Sequence, residues 1–254
     1  MDIKKMYRLI TLFFKVNWLK TIIFNFIKLP ISQSQYLPIL IYKGSKCLHF
    51  IRKGHVILDT SEKLSFGMIK LGIKHESCCL SKNGIILDNS GIIIFKGSGV
   101  VGNGSVFVIK ENAILEIGKN FGITGDFKIH CYNHITIGDY FSCAWNVSLS
   151  DTDFHQTSNP QTGKFNSFTK PILIGDGVWV CQNVSITKGT ILASFCTVAS
   201  NSLVNKQYDI EPYSVIGGIP AKLLNIKLEN NDIRKNMEIE NFKITKGISV
   251  FNLK

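Results

Sequence analysis

Three features that would define a protein class are missing from this sequence of 254 residues. No uninterrupted apolar run reaches the roughly 20 residues that a transmembrane helix needs, because polar residues interrupt the most apolar stretch at Lys15, Asn17, Lys20, Asn25 and Lys28. No small-residue cleavage site follows a short apolar core, so we expect no secretory signal peptide. With 45% hydrophobic residues and only 6 prolines, the composition is that of a globular protein rather than a disordered one.

Paired cysteine spacing is the third missing feature. The cysteines are odd in number, and no Cys-x-x-Cys motif occurs among them. This pattern predicts neither a disulfide framework nor a zinc site, and it is typical of a protein in a reducing cytoplasm. The seven cysteines are Cys47, Cys78, Cys79, Cys131, Cys143, Cys181 and Cys196.

Acidic residues are nearly absent from the first part of the chain. Residues 1–56 hold ten Lys or Arg against the single acid Asp2, whereas the rest of the chain is close to neutral. Residues 3–28 show a helical pattern, which Pro30 and Pro38 end. We predict a basic helical segment over residues 1–40. It either packs on the protein or on a neighbouring subunit, or it makes peripheral contact with an anionic membrane. No motif predicts nucleic acid as a partner.

What the sequence does contain is a six-residue period. That period fits neither a helix nor a single strand, but it fits a short strand plus a turn, repeated, with one aliphatic side chain per repeat pointing inward. Three such units close one triangular coil of roughly 18 residues, and each coil covers the interior of the next. The series are Ile117, Ile123, Ile129, then after a two-residue slip Ile137, Cys143, Leu149, and later Ile174, Val180, Ile186, Leu192, Val198, Val204.

The period divides the chain into four parts. Residues 1–40 form the basic helical segment, and residues 41–90 are predicted to be an irregular, β-rich lead-in. Residues 91–226 are predicted to form an all-β solenoid built from these six-residue repeats, or hexads. A loop excursion is predicted over residues 150–173, where the hexads stop. Residues 227–254 are a short C-terminal tail.

Two stretches carry a resemblance to a known family. "PILIGDGVWVCQNVSITKG" (171–189) and "GGIPAK" (217–222), together with the hexads, resemble the hexapeptide-repeat acyltransferases. Within that family, the similarity is to sugar O-acetyltransferases of the maltose and galactoside type and to their relatives in surface-polysaccharide synthesis. The resemblance covers about residues 91–226. It implies a left-handed parallel β-helix, a homotrimer and acetyl-CoA as the acyl donor, with no metal.

The excursion begins with "DTDFH", which brings a histidine close to two aspartates. Acyl transfer from a thioester to a hydroxyl needs a base, and an imidazole is suited to that role because its pKa lies near neutrality. The resemblance implies that His155 is this base. A carboxylate could hold the proton of the other ring nitrogen, and Asp151 and Asp153 are both candidates. We predict direct transfer in a ternary complex, without an acyl-enzyme.

The resemblance also implies residues that bind the two substrates. Asn146 would hydrogen-bond an acceptor hydroxyl, although a turn asparagine is the simpler interpretation, and Trp179 would lie beside the thioester and acceptor pocket. CoA needs small residues along its pantetheine arm and cations at its phosphates. Two positions depart from the family pattern, since Cys181 and Asn201 stand where glycine is usual. The residues implied for CoA are Cys181, Ala199, Ser200, Asn201, Lys206 and Lys222.

The acceptor is the least specified part of the prediction. We expect a saccharide hydroxyl, in a precursor of capsule, lipopolysaccharide or exopolysaccharide that could be lipid-linked, and hence a cytoplasmic protein or one at the inner face of the membrane. An N-acyltransferase acting on an amino sugar is the main alternative. A metal-dependent β-helix hydrolase or carbonic anhydrase would need a third ligand beside His130 and His134, which only His155 could supply. A non-catalytic scaffold is the remaining alternative.

Overall fold

The computed structural model describes residues 3–74 and 82–230. Its strands pair in parallel into three long sheets, which we number 1 to 3. Each coil of the chain contributes one strand to sheet 1, then one to sheet 2 and one to sheet 3, and the next coil begins again in sheet 1. This arrangement is a left-handed parallel β-helix, as the hexads and the family resemblance predict.

The strands of each sheet follow the order of the coils. Sheet 1 holds β1 (Ile39–Ile41), β4 (Ile69–Ile73), β7 (Gly99–Gly102), β10 (Phe121–Ile123), β13 (Ser142–Cys143), β16 (Trp179–Val180), β19 (Thr197–Val198), β21 (Ser214–Gly218) and β22 (Ala221–Lys227). Sheet 2 holds β2 (Lys46–Leu48), β5 (Ile86–Asn89), β8 (Val106–Ile109), β11 (Lys128–Cys131), β14 (Ser148–Ser150), β17 (Ser185–Thr187) and β20 (Leu203–Val204). Sheet 3 holds β3 (His55–Leu58), β6 (Ile92–Phe95), β9 (Ile114–Ile117), β12 (His134–Ile137), β15 (Ile172–Ile174) and β18 (Ile191–Leu192).

The predicted hexad positions form the core of the coil. All twelve residues of the two series are buried, each with no more than 2% of its surface exposed. They alternate with outward-facing residues along the strands, because successive side chains of a strand point to opposite faces. The two-residue slip in the first series falls at the turn between β11 and β12, which Tyr132 and Asn133 form.

The β-helix begins earlier in the chain than predicted. β1 pairs with β4, and β2 with β5, in the same three sheets as the later coils, so the coil starts at Ile39 and not near residue 91. Residues 41–90 are therefore no irregular lead-in. Their six-residue period is hidden because connections of uneven length, such as residues 59–68 between β3 and β4, separate strands that are otherwise in register.

The N-terminal segment is helical, but it forms three helices: α1 (Ile3–Lys15), α2 (Trp18–Lys28) and α3 (Ile31–Ser34). The chain is extended between the first two, where Val16 forms an antiparallel bridge with Tyr42. Asn17 then begins α2 as its N-cap, with its side-chain oxygen accepting a hydrogen bond of 3.1 Å from the Lys20 backbone N–H. No helix in the described part of the chain is long and apolar enough to cross a membrane.

α2 covers the first strand of sheet 1. The side chain of Asn25 donates to the Ile39 carbonyl (2.7 Å) and accepts from the Ile39 N–H (3.1 Å), and the Thr21 hydroxyl accepts from the Ile41 N–H (3.0 Å). Asn25 and Thr21 are themselves fully buried. Two side chains thus satisfy backbone groups that would otherwise be unpaired at the open end of a parallel sheet.

At the other end, β22 pairs antiparallel with β21 and closes sheet 1. The predicted C-terminal tail, residues 227–254, begins at the end of this strand, and residues 231–254 lie outside the described part of the chain.

Candidate active site

The predicted excursion is an antiparallel hairpin that leaves the coil between β14 and β15. Backbone bridges join Thr152 to Thr169 and Ser158 to Phe165. These pairs lie on either side of a tip at residues 159–164, where the Asn159 N–H donates to the Lys164 carbonyl at 2.8 Å. The excursion is therefore an ordered projection from one edge of the β-helix. We call this edge, where the chain passes from sheet 2 to sheet 3, the hairpin edge.

Asp151 lies at the base of the hairpin and is completely buried. Its carboxylate accepts hydrogen bonds from the backbone N–H groups of Tyr132 (2.7 Å) and Asn133 (2.8 Å) in the coil below. Burial raises the pKa of this carboxyl above its ordinary value, although the hydrogen bonds it accepts lower it. Asp151 therefore stabilises the turn of the preceding coil, and its carboxylate oxygens are not directed to His155.

Asp153 has a different partner. Its carboxylate forms an ion pair with Lys188, whose ammonium group also donates to the carbonyl of Ser167 on the returning strand of the hairpin. Lys188 follows β17 and so lies at the same edge one coil later. This lysine ties both strands of the hairpin to the rigid coil. Sequence reasoning did not single out Lys188, although its place one coil after the base of the excursion was a usable signal.

His155 is exposed, and in the described part of the chain no hydrogen bond to its ring is found from Asp151 or Asp153. The residue before it, Phe154, has a φ of +62°, a backbone conformation that bulky side chains rarely adopt. Its ring packs edge-on against His130 (5.3 Å between ring centroids) and Tyr132 (5.6 Å). The packing of the Phe154 ring on β11 and the following turn thus attaches the chain to the coil immediately before His155, while the imidazole stays exposed.

A second edge, where the chain passes from sheet 1 to sheet 2, is built from stacked asparagines. Asn146 donates from its side-chain amide to Asn183 (2.8 Å), which donates in the same way to Asn201 (3.1 Å). Their φ angles are +58°, +59° and +58°, a conformation that asparagine adopts more readily than most residues. We call this the asparagine edge. Asn201 adopts the turn that glycine usually makes in the family. The three hydrogen-bonded asparagines form a ladder, in which Asn146 is the first member.

The other small residues predicted for the donor lie on the same edge. Cys181 and Ala199 follow β16 and β19, and their N–H groups donate to the Val198 and Ile216 carbonyls at 2.9 Å. Burial raises the pKa of the half-buried Cys181 thiol, more than a hydrogen bond with Ser200 lowers it. Trp179 lies beside them on the outer face of sheet 1, since its neighbour Val180 points into the core.

The two predicted phosphate lysines lie at different edges of the last coil, Lys206 at the hairpin edge after β20 and Lys222 beside Gly217 at the end of sheet 1. The ammonium group of Lys206 lies 5.5 Å from the Tyr208 ring centroid, and the Tyr208 hydroxyl donates to the Ala221 carbonyl at 3.3 Å. Lys222, the next residue, is exposed on β22, as Lys206 is after β20. Both cations are exposed near the C-terminal end of the coil, but the strands of sheet 2 separate them within one chain.

The strands of sheet 2 separate the two edges within one chain. Asn146 precedes β14 and Asp151 follows it, so the edges lie about 16 Å apart at a strand rise of about 3.3 Å per residue. Asn146, Cys181, Ala199, Ser200 and Asn201 lie along the asparagine edge, with Trp179 beside it on sheet 1. His155 lies apart from them, on the segment that leaves the hairpin edge. The sequence carried a signal of this division, because the asparagine and the histidine stand on opposite sides of one inward-facing hexad residue, Leu149.

The histidines considered for a metal do not gather. His134 Nε2 lies 2.9 Å from Glu116 Oε1, and His130 packs against Phe154. Within residues 3–74 and 82–230, no group of three or more His, Cys, Asp or Glu side chains could hold a metal ion.

Known proteins with similar sequences are acetyltransferases, and no family model matches the chain. Galactoside O-acetyltransferase of Escherichia coli K12 is 29% identical over 134 residues, which are 53% of this chain and 63% of the relative. Polysialic acid O-acetyltransferase of Neisseria meningitidis is 28% identical over 114 residues, 44% of this chain and 53% of the relative. The matches thus span less than two thirds of these relatives.

Among solved structures, a polySia-specific acetyltransferase, NeuO, is similar at a TM-score of 0.49 and 20% identity, over 80% of this chain and 94% of that one. The sequence relatives confirm the resemblance that the hexads and the two motifs indicate.

Proposed function

The chain is a relative of the hexapeptide-repeat acyltransferases, and on that premise we propose that it transfers an acetyl group from acetyl-CoA to a hydroxyl of a saccharide. The observation that carries the proposal is the exposed imidazole of His155, whose neighbours are fastened to the coil through Phe154 and the Asp153–Lys188 ion pair. Such a histidine, held on a rigid scaffold with its ring nitrogens open, fits a general base for a substrate from outside the chain.

The reaction proceeds by direct attack. The acceptor oxygen bonds to the thioester carbonyl carbon as His155 removes the hydroxyl proton, and the carbon–sulfur bond then breaks. The CoA thiolate leaves and takes up the proton from the imidazolium, so the enzyme returns to its starting state. Backbone N–H groups and a neighbouring side chain would stabilise the developing oxyanion.

We infer that the active site lies between subunits of a homotrimer. The hairpin edge carries the base, the asparagine edge carries the small residues suited to pantetheine, and sheet 2 separates them in one chain. In a cyclic trimer every subunit presents the same two surfaces to its two neighbours. We infer that these two surfaces are the hairpin edge and the asparagine edge, so that the hairpin edge of one subunit meets the asparagine edge of the next. Each trimer would then contain three equivalent sites.

The donor would bind along the asparagine edge. Cys181, Ala199 and Ser200 leave the backbone accessible to the pantetheine arm, and Asn201 turns the coil there as glycine does in the family. Lys222, which pairs with Gly217 beside Ala199, would bind the phosphates of CoA at the end of the asparagine edge. Lys206 lies at the hairpin edge and would approach them from the neighbouring subunit. Trp179 would cover the thioester. Cys181 narrows the groove relative to glycine.

The acceptor is proposed from the relatives, which are named for galactosides and for polysialic acid. We infer a saccharide hydroxyl in a surface-glycan precursor, with the protein at the inner face of the membrane when that precursor is lipid-linked. An amine acceptor on an amino sugar is the second candidate, and alkaline treatment separates the two because it cleaves an ester and leaves an amide.

The test is thiol release from acetyl-CoA with a panel of glycan acceptors. His155→Ala should lower kcat about 10²–10⁴-fold, the usual effect of removing a general base, whereas the exposed control His55→Ala should leave it unchanged. Equal release by the wild type and His155→Ala would refute the assignment of the base. Release without any acylated glycan would refute the acceptor class.

A further inference from the structure

Each of the helices α1 and α2 exposes a stripe of apolar side chains. The side chains on α1 are spaced by three, four and seven residues, so they share one side of the helix, and those on α2 follow the same spacing. Tyr7, Phe14 and Leu19 are 70%, 64% and 71% exposed, although large apolar side chains are normally buried. We call the two stripes together the N-terminal apolar face, and its members are Met6, Tyr7, Ile10, Phe13, Phe14, Leu19, Ile22 and Phe26.

The exposed stripe of α2 is not what holds this helix on the coil. The opposite side of α2 supplies that contact through Thr21, Phe24 and Asn25, which are buried against the first coil. A soluble protein rarely leaves a large apolar patch in water unless it binds something there. The face therefore has the character of a binding surface and not of a packing surface.

Aromatic rings border the face where the helices meet. The Phe13 ring lies 5.9 Å from Trp18, and Trp18 stacks on Phe66 at 6.2 Å. The Trp18 indole N–H donates to the Phe13 carbonyl at 2.9 Å. Tryptophan beside exposed phenylalanine is typical of proteins at the boundary between lipid and water, because these rings favour that region.

The segment that carries the face is strongly basic. Residues 1–56 contain ten basic residues and one acid. Lys15, the last residue of α1, is exposed, and its carbonyl accepts a hydrogen bond of 2.9 Å from the backbone N–H of the exposed Lys43. Two exposed lysines thus stand together at the end of the apolar stripe. This charge is complementary to an anionic surface.

We propose that the N-terminal apolar face lies on an anionic phospholipid bilayer. α1 and α2, of 13 and 11 residues, are about 20 and 16 Å long, too short to span the roughly 30 Å hydrocarbon layer. Helices with an apolar and a basic side instead lie flat, with the apolar side chains in the lipid and the lysines at the headgroups.

The proposed trimer strengthens this contact, and that step alone rests on the proposed function. If the threefold axis runs along the stack of coils, the three N-terminal apolar faces lie at the same end of the trimer, because rotation about an axis does not change direction along it. Once one face has bound, the other two are held at the bilayer at high effective concentration. Membrane binding by a single face is independent of the transferase reaction.

The experiment is co-sedimentation of the full chain with vesicles of phosphatidylcholine, with or without phosphatidylglycerol, at several salt concentrations. The wild type should bind the anionic vesicles, and added salt should weaken the binding. The double variant Phe13→Ser/Phe14→Ser tests the apolar side chains, and Lys15→Gln/Lys43→Gln tests the charge. The matched controls are Phe165→Ser and Lys164→Gln, exposed residues of the same types on the distant hairpin.

We expect the lysine pair to weaken binding more than tenfold, since one lysine near an anionic surface contributes about fivefold. The phenylalanine pair should abolish it, and the two controls should bind as the wild type does. Equal binding by the phenylalanine variant would overturn the proposal. So would a wild type that binds no vesicle but loses a larger, concentration-dependent assembly when the two phenylalanines are replaced, because the face would then be covered by a second copy of the chain.

Discussion

The asparagine edge and the hairpin edge are the two ends of the same strands of sheet 2, and the chain treats them differently. At the asparagine edge, one side-chain amide bonds to the next over three successive coils, and each residue repeats the same backbone turn. At the hairpin edge, the repeat is interrupted and about twenty residues leave the stack. The asparagine edge is rigid because each coil repeats the contacts of the last. The hairpin edge departs from the repeat, and such excursions from a rigid scaffold often hold functional side chains.

Where the repeat is interrupted, one side chain supplies the hydrogen-bond acceptors for two backbone N–H groups of the preceding coil. At the base of the hairpin, the backbone N–H groups of Tyr132 and Asn133 donate hydrogen bonds to the carboxylate of Asp151. That carboxylate is buried, which raises its pKa, but it accepts hydrogen bonds from two partly buried N–H groups that would otherwise be unpaired. Asp151 therefore permits the excursion, and Asp153 and Lys188 orient it.

The largest predicted effect tests whether the two edges meet only between subunits. His155→Ala disables the hairpin edge, and Ser200→Trp blocks the asparagine edge, so either variant alone should lose nearly all thiol release. In trimers co-expressed from both variants, about one quarter of the interfaces combine an intact hairpin edge with an intact asparagine edge. Co-expression should therefore restore about one quarter of wild-type activity. Mixed trimers as inactive as the single variants would show that the site lies within one chain.

A smaller effect distinguishes the two aspartates of the hairpin. Asp151→Asn replaces one of two acceptor oxygens by an amide that faces a backbone N–H, so the free energy of unfolding should fall by about 1–3 kcal/mol. Asp153→Asn breaks an ion pair whose carboxylate is 44% exposed, and it should cost less than about 1 kcal/mol. Denaturant unfolding measures both. Similar losses for the two variants would contradict the role given to Asp151.

The smallest effect concerns the thiol on the asparagine edge. Burial raises the pKa of Cys181, so at any pH below that value its thiolate fraction is smaller than that of a free cysteine. Its alkylation rate should therefore continue to rise with pH beyond about 9, where a free thiol levels off. Acetyl-CoA should slow the reaction several-fold at each pH if pantetheine lies there. Mass spectrometry of the labelled peptide measures this rate, and the lack of protection would argue against the donor groove.

The sequence predicted the later coils well because their turns are short and of constant length. From Ile174 to Val204, every sixth residue is buried as expected. The first two coils were missed because connections of unequal length obscure the same period between Ile39 and Asn89. A period can be recognised only where the number of residues per turn stays constant, whereas strand pairing requires only that the strands themselves be in register.

Contacts within one coil can be predicted from the sequence more readily than contacts between coils, and the candidate site contains both kinds. The residues of the asparagine edge are local to their coils, and the structure places the residues that the family motifs single out there on one surface. The partners of Asp151 and Asp153 lie in neighbouring coils, 18 to 35 residues away in the chain. Proximity to His155 in the sequence therefore suggested an orienting carboxylate, whereas the structure directs both carboxylates elsewhere. The sequence also contained a signal for the asparagine ladder, because Asn183 and Asn201 are separated by the length of one coil.

The hydrogen bonds from Asn25 and Thr21 to β1 also determine where the solenoid stops. A bare terminal strand in a parallel stack is a template on which another chain can add its own strand, and repetition of that event produces fibrils. A truncated chain lacking residues 1–28 would expose this template, and its tendency to polymerise end to end would arise without any lipid. The two polar side chains of α2 thus keep the molecule finite, and they are the residues to preserve in any shortened form of the protein.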